Sequence, residues 1–133
     1  AVLGVLAAVV VTAMNPLKRI NQANDSKVKN DVGQLATAAE AYFTQNQCYP
    51  ASQGVLTLSD DLKQELKAPS GYSAYVLNPL PSPCECTATV KTCTEMTISG
   101  QLKAPATEGN ITWCWDSAKG TSEEGTACPI LAP

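Results

Sequence analysis

Six cysteines are the residues of this chain whose type and spacing could do chemistry. Cys84 and Cys86 are separated by one residue and Cys93 follows seven positions later, so the sequence has no Cys-x-x-Cys pair of a zinc knuckle or a thioredoxin-like site. An even number of cysteines, in sequence rich in Gly, Pro, Ser and Thr, predicts up to three disulfides formed outside the cytosol.

The preferred disulfide joins Cys114 to Cys128, because it would fasten a long C-terminal loop. Closing a loop of about fifteen residues contributes roughly 3 kcal/mol in the chain-entropy model. An alternative is that two of the six cysteines remain free thiols. Among the other four, either Cys84 or Cys86 is expected to pair with Cys93 across a predicted hairpin, which leaves its neighbour for Cys48.

Catalytic chemistry has little support in this sequence. The chain has no histidine, which excludes the usual triads and the histidine-containing zinc sites. Glu123 and Glu124 lie in a predicted loop without a basic or nucleophilic partner, and Asp60 and Asp61 are typical of a helix start. Residues 116–124 match no defined calcium loop. We therefore expect no enzyme activity, no catalytic or metal-binding residue and no cofactor.

One modification motif stands out. Asn110-Ile-Thr meets the N-glycosylation rule and has the acidic Glu108 two positions before it, the arrangement that bacterial oligosaccharyltransferases prefer, whereas Asn24-Asp-Ser meets only the simple rule. Asn110 is therefore the better glycosylation candidate. The alternative is an unmodified turn residue.

Length and charge restrict the remaining possibilities. A chain of 133 residues, 44% hydrophobic and 16% charged, is sufficient for one modest domain. Nine Lys and Arg against twelve Asp and Glu give a formal charge of -3, so the composition lacks the basic surface expected of a nucleic-acid-binding protein.

The first fourteen residues, AVLGVLAAVVVTAM, carry no charge. A helix that is apolar on every face must be buried in protein or lipid, but about 20 residues are needed to span a bilayer. The segment is either a signal sequence or the end of a longer membrane-inserting helix. Because helical character continues beyond it without a small-residue cleavage site, the second interpretation is favoured.

The sequence that follows predicts an amphipathic helix that ends near Gln47, because Pro50 cannot continue it. If both pieces form one helix, residues 1–47 would extend roughly 70 Å and protrude from so small a domain. Weak points are expected at Gly4, Asn15 and Pro16, with a kink near Pro16. A one-pass membrane anchor with a helical stem is an alternative. The apolar stripe consists of Leu17, Ile20, Ala23, Val28, Val32, Leu35, Ala39 and Tyr42. The charged residues mostly lie off it: Lys18, Arg19, Asp25, Lys27, Lys29, Asp31 and Glu40.

Residues 1–50 carry three ordered motifs: AVLGVLAA at 1–8, NPxKR at 15–19 and AYFTQNQCYP at 41–50. Together they resemble the N-terminal helix of bacterial type IV pilins and pseudopilins. In that family an aromatic residue and a glutamate-containing segment precede the matched part, so the resemblance assigns N-terminal processing to no residue of this chain.

The resemblance implies an α+β, ladle-shaped subunit. A polymerisation helix, residues 1–47 with 1–16 protruding, would pack on a globular head, residues 48–133, that holds a small antiparallel sheet and disulfide-fastened loops. The residues that would pack against other subunits are Ala1, Val2, Leu3, Val5, Leu6, Val9, Val10, Met14, Leu17 and Ile20.

The resemblance also implies a function: the chain would be the major pilin of an extracellular filament that serves adhesion, motility or DNA uptake. Its partners would be copies of itself and, before polymerisation, the inner-membrane assembly machinery; we expect no nucleic-acid site. Before assembly it would be anchored in the cytoplasmic membrane. The alternatives are a pseudopilin of a type II secretion or DNA-uptake machine, and a minor tip pilin or adhesin.

In the head, the sequence predicts a short helix over residues 58–67, capped by Ser59, and four strands at 72–77, 87–91, 95–102 and 111–116. Residues 78–83 are predicted to be a proline-rich connector and residues 117–133 a long polar loop. Trp113 and Trp115 would share one strand face, and a core or subunit interface is favoured over a ligand-binding platform.

Overall fold

The computed structural model describes residues 16–128. The predicted packing and break residues Ala1, Val2, Leu3, Gly4, Val5, Leu6, Val9, Val10, Met14 and Asn15 lie outside the described residues. The kink predicted near Pro16 lies at the boundary of the described residues, so it stays a prediction.

Helix α1 spans Pro16–Asn46 and is the longest element of the described chain. It contains no internal proline, and it ends where Gln47 takes a left-handed conformation (φ 62°), the usual way in which a helix stops. The end lies one residue before the predicted position, and Pro50 prevents the helix from resuming.

Four strands form one antiparallel sheet whose spatial order follows the chain: β1 Val76–Leu80, β2 Glu95–Gln101, β3 Thr112–Asp116 and β4 Thr121–Gly125. The fold is therefore α+β, with α1 packed on an antiparallel sheet, as the sequence predicts. The central strands β2 and β3 face α1 and carry most of the buried apolar side chains of the sheet.

The core lies between one face of α1 and the inner face of the sheet. The fully buried Val28, Val32 and Leu35 of the helix lie in one apolar cluster with Met96 and Ile98 of β2. Burying side chains of this kind stabilises a fold by about 1.5–3 kcal/mol each. This contact fixes where α1 crosses the sheet.

Gly100 allows α1 and β2 to approach closely. A Cβ atom added to Gly100 would lie 2.5 Å from Cγ1 of Val28 and 3.1 Å from Cδ1 of Tyr75. Any other residue would therefore push the helix away from the sheet.

Two of the four predicted strands lie where the sequence places them, and the other two do not. The prediction of a strand at residues 87–91 is wrong: this segment is a turn in which Thr87 N–H donates to the carbonyl oxygen of Val90, with a single bridge between Cys86 and Lys91. The prediction at 72–77 is displaced, because β1 covers part of the predicted connector. Pro79, which lacks a donor, fits in β1 because β1 is an edge strand.

The predicted C-terminal loop contains a strand that the sequence analysis missed. β4 pairs with β3 from Thr112 opposite Gly125 to Asp116 opposite Thr121. Its sequence, TSEEG, has no large apolar residue, so main-chain pairing at the sheet edge rather than hydrophobic alternation forms it. Gly120, with φ of 69°, makes the tight turn that joins the two strands.

The second helix lies earlier than predicted. Helix α2 spans Gln53–Leu58, and Ser59, predicted to begin a helix, instead ends one. Asp60 adopts a left-handed conformation (φ 64°) that prevents continuation. The side-chain amide of Gln53 then holds the following loop, since it donates to the Leu66 carbonyl (3.1 Å) and accepts from the Leu66 N–H (2.6 Å).

Candidate functional site

The N-terminal end of α1 projects apolar side chains that the rest of the described chain leaves uncovered. Leu17 is 66% exposed and Ile20 is 56% exposed, whereas Val28 and Val32 on the same helix are fully buried. Ala23, which the sequence placed on the apolar stripe, is also exposed. The helix is therefore buried against the head only from about Asp25 onward, although the Asn21 carbonyl already accepts from the Tyr72 hydroxyl (3.3 Å).

Asp25 is the first residue of α1 that is buried, with 3% of its surface exposed. Its carboxylate accepts three hydrogen bonds: from the Tyr72 hydroxyl (2.7 Å), the Lys103 N–H (2.9 Å) and the Ala104 N–H (2.7 Å). A buried carboxylate requires such donors. We name Asp25 and its three donors the aspartate anchor, because it ties the helix to the loops before β1 and after β2.

A second buried carboxylate lies nearly two turns further along α1. Asp31 accepts hydrogen bonds from the Tyr75 hydroxyl (2.5 Å) and from Lys27, whose ammonium also donates to the Lys67 carbonyl (2.9 Å). The sequence prediction that Asp25 and Asp31 lie off the packed face is therefore wrong. Asp25 lies three residues before Val28 and seven before Val32. This helical spacing indicated that Asp25 shares the face of these two valines.

These contacts change the ionisation of the tyrosines. Burial, followed by the hydrogen bond to a carboxylate, raises the pKa of Tyr72 and of Tyr75 well above the ordinary value of 10. Tyr49 donates to Glu40 on α1 at 2.8 Å, and burial together with that carboxylate raises the pKa of Tyr49 to about 12. All three hydroxyls therefore stay protonated donors at neutral pH.

Two connected grooves flank the exposed end of α1. One, of about 830 Å³, is lined by Lys18 and Asn21 of the helix and by Lys103 and Ile111 of the loop between β2 and β3. The other, of about 430 Å³, continues along α1 to Lys29. Ile111 is 53% exposed, so apolar and basic side chains alternate on this end of the molecule.

A third groove, of about 1020 Å³, runs beside the middle of α1 against residues 61–66. The helix contributes the small residues Gly33, Thr37 and Ala41, all exposed, and a Cβ on Gly33 would meet no atom within 4 Å. Lys63 and Asp61 line its other wall.

The six cysteines form three disulfides, and no cysteine remains free in the part of the chain that the structure describes. Cys48–Cys86 ties the end of α1 to the loop before β2, and the preferred pair of the sequence analysis, Cys114 with Cys128, is present. The third bridge joins Cys84 to Cys93. As expected from the sequence, Cys93 pairs with one of the two closely spaced cysteines and Cys48 pairs with the other.

The remaining sequence candidates lie apart from each other. Trp115 is buried in the core, while Trp113 is half-buried against it and lies under the ammonium of Lys29, 4.7 Å from the ring centroid. Asn110 is half-buried in the turn before β3, where its N–H donates to the Thr107 carbonyl at 3.1 Å. Neither tryptophan forms part of an open aromatic platform.

Between residues 16 and 128 no group of three or more acidic or cysteine side chains could hold a metal ion. Over the same range no helix has the length and apolar character needed to cross a bilayer. Comparisons of this chain with family models, with curated proteins and with solved structures give no match.

Proposed function

We propose that this chain is the structural subunit, the major pilin, of an extracellular type IV pilus-like filament. The observation that carries the proposal is the apolar stripe of α1, which continues past the head as the exposed Leu17 and Ile20. Fifteen uncharged residues precede this helix in the sequence, and the first fourteen form the apolar segment. The molecule thus has an apolar helical surface with no partner in its own described fold.

Assembly would move an apolar helix from the lipid bilayer into a protein filament and would involve no catalytic turnover. The apolar segment 1–14 would leave lipid and pack against the same segment of neighbouring copies, since both surroundings exclude water from it. Its Ala, Val and Gly residues allow helices to approach closely, as small residues do inside membranes. The head, fastened by its three disulfides, would remain on the outside.

The head is suited to this role because its attachment to α1 lies inside the fold. The apolar core and the buried contacts of Asp25 and Asp31 hold the helix on the head without using its exposed apolar end. The exposed small residues Gly33, Thr37 and Ala41 line a groove in which a neighbouring copy would meet the helix.

Electron microscopy with helical reconstruction of fibres sheared from cells tests the proposal. The expected result is a repeating density that fits this chain, with residues 1–47 in the fibre core and the head outside. Fibres that lack this chain while it stays with the envelope would refute the major-pilin role and favour a pseudopilin.

Variants sharpen the test. Val9→Asp or Leu6→Lys should abolish filaments and leave the head folded, because a charge in the packed helices has no partner. Leu58→Lys is the matched control: Leu58 is 88% exposed at the end of α2, so its replacement should leave filaments intact. Normal filaments from both helix variants would contradict the mechanism.

A further inference from the structure

Charge is unevenly distributed along this molecule. Residues 16–31, 67–72 and 101–111, which surround the exposed end of α1, contain six Lys or Arg and three Asp or Glu. The rest of the chain contains three Lys or Arg and nine Asp or Glu. Although the chain has a net charge of -3, the surroundings of the exposed end of α1 carry more basic than acidic residues. We name these three segments together the basic end.

The acidic side chains of the basic end are mostly turned inward. Asp25 and Asp31 are 3% and 5% exposed, and both carboxylates are occupied by hydrogen bonds within the fold. The third acid, Glu108, is exposed, and Glu124 reaches the rim from β4, where it accepts from the Ala106 N–H at 2.7 Å. Because the Asp31 carboxylate is paired with Lys27, these two charges cancel, and the excess of basic over acidic groups at this end is three by residue count and two when Glu124 at the rim is included.

Five of the six basic side chains are exposed, although Lys27 is paired with Asp31, and Lys29 is half-buried over Trp113. Arg19 and Lys103 are exposed, and the ammonium of Lys103 lies 4.9 Å above the Tyr72 ring, which holds its stem in place. Among them lie the exposed apolar side chains Leu17, Ile20 and Ile111. Basic residues interspersed with exposed apolar ones are typical of surfaces that rest on anionic bilayers.

We propose that the basic end docks on the anionic phospholipid headgroups of the membrane in which the chain is anchored before assembly. The proposal rests on the membrane-anchored state in the proposed function. It is favoured by continuity: α1 leads directly back into the uncharged segment 1–14, so the basic end is the part of the head nearest any bilayer that holds this segment. The acidic remainder of the head would face away.

Docking of this kind would orient the head as well as hold it. Electrostatic attraction to the headgroups falls off within a Debye length, about 8 Å at physiological salt, so only the basic end would feel it. The loop at 101–111, which carries Lys103 and Ile111, would lie against the headgroups and lose contact with solvent. Leaving the membrane for a filament would require this contact to be broken.

The test uses the full chain in lipid nanodiscs and measures amide hydrogen exchange by mass spectrometry. One set of discs contains phosphatidylcholine alone, and the other contains equal parts of phosphatidylcholine and phosphatidylglycerol. We expect several-fold slower exchange in residues 101–111 only in the anionic discs, and loss of this protection at about 1 M salt, where the Debye length is about 3 Å.

Two charge-matched double variants complete the experiment. The variant Arg19→Glu, Lys103→Glu should lose the protection, whereas Lys63→Glu, Lys119→Glu, with both changes outside the basic end, should keep it. Exchange in strand β2 reports that each variant is folded. Protection that the Arg19→Glu, Lys103→Glu variant retains would overturn the proposal.

The remaining outcomes separate this inference from the function on which it rests. A chain that inserts into both discs but shows the same exchange in each refutes headgroup docking and leaves the filament proposal standing. Protection that rises with the number of chains per disc, independent of phosphatidylglycerol, assigns the basic end to a second copy and overturns the proposal. A chain that enters neither disc overturns both proposals.

Discussion

Replacing Asp25 by alanine should destabilise the head more than its location near one end of the molecule suggests. The change removes a carboxylate that accepts from Tyr72 and from two consecutive backbone N–H groups, those of Lys103 and Ala104. Hydrogen bonds to a charged group contribute about 1.5–3 kcal/mol each, and a buried donor left unpaired costs about 1–3 kcal/mol.

The three contributions do not add fully, because the adjoining groove of about 430 Å³ lets water reach part of the freed backbone. We therefore expect Asp25→Ala to lower the free energy of unfolding by about 3–5 kcal/mol, equivalent to roughly two of the three hydrogen bonds to a charged group. Since domains of this size are stable by about 5–15 kcal/mol, such a loss is easily measured.

Chemical denaturation of the full chain in a mild non-ionic detergent, with the disulfides intact, measures the change. Tyr72→Phe should cost less, about 1.5 kcal/mol, the lower end of the range for one hydrogen bond to a charged group, since the two backbone donors remain on the carboxylate. The double variant should then cost less than the two single changes together, because the tyrosine has already lost its partner. Glu65→Ala, at an exposed carboxylate, is the control and should be nearly silent.

A free energy of unfolding within about 0.5 kcal/mol of the wild type for Asp25→Ala would refute the argument, since surface substitutions fall in that range. Full additivity of the two changes would also contradict it, because independent effects are expected only from groups that do not touch.

Three further predictions concern the rest of the head. Gly100→Ala should lower the free energy of unfolding by about 1–3 kcal/mol, because its Cβ would collide with Val28. Adding Val28→Ala to the same chain should recover part of the loss, measured by thermal unfolding. A Gly100→Ala variant as stable as the wild type would show that the helix can shift freely. Because the pKa of Tyr49 is raised from 10.0 to about 12 in the folded head, its contribution is complete below pH 10 and is lost as the pH rises from 10 towards 12; denaturation at several pH values should show this fall, and Tyr49→Phe should make it shallower. Replacing Cys114 and Cys128 by serine should cost roughly 3 kcal/mol, measured by denaturation, and an unchanged midpoint would mean that the bridge does not constrain the unfolded chain.

The sequence predicts the helix and its end correctly because those features are local. A continuous 3.6-residue pattern and the absence of proline define α1, and Pro50 terminates it. The Cys114–Cys128 disulfide was also accessible, because the two cysteines bracket one long loop, whereas the choice between Cys84 and Cys86 as the partner of Cys93 was left open by the sequence.

The sheet was harder to predict because two of its strands depend on their partners. β4 has no apolar alternation and exists through its main-chain ladder with β3, and β1 includes Pro79, which ordinarily argues against a strand. Residues 87–91 have the threonine and valine content of a strand, but the Cys84–Cys93 bridge closes this short segment into a turn.

The aspartate anchor was missed for a related reason. A helical aspartate is ordinarily read as a solvent-facing charge, and its donors lie 47 and 78 or more residues away in the sequence. Only the fold brings Tyr72 and the N–H groups of Lys103 and Ala104 to it. The helical spacing to Val28 indicated the face, but nothing local indicated the partners.

The sequential order of the sheet places β1 and β4 at its margins, each with one edge that no other strand of the described chain pairs with. Exposed edges of this kind can recruit strands from other molecules and lead to amyloid-like aggregation. Pro79 removes a donor from one edge, and Glu123 and Glu124 place like charges along the other. Copies held side by side at very high local concentration would therefore repel rather than extend one another's sheets, and they would remain separately folded while crowded together.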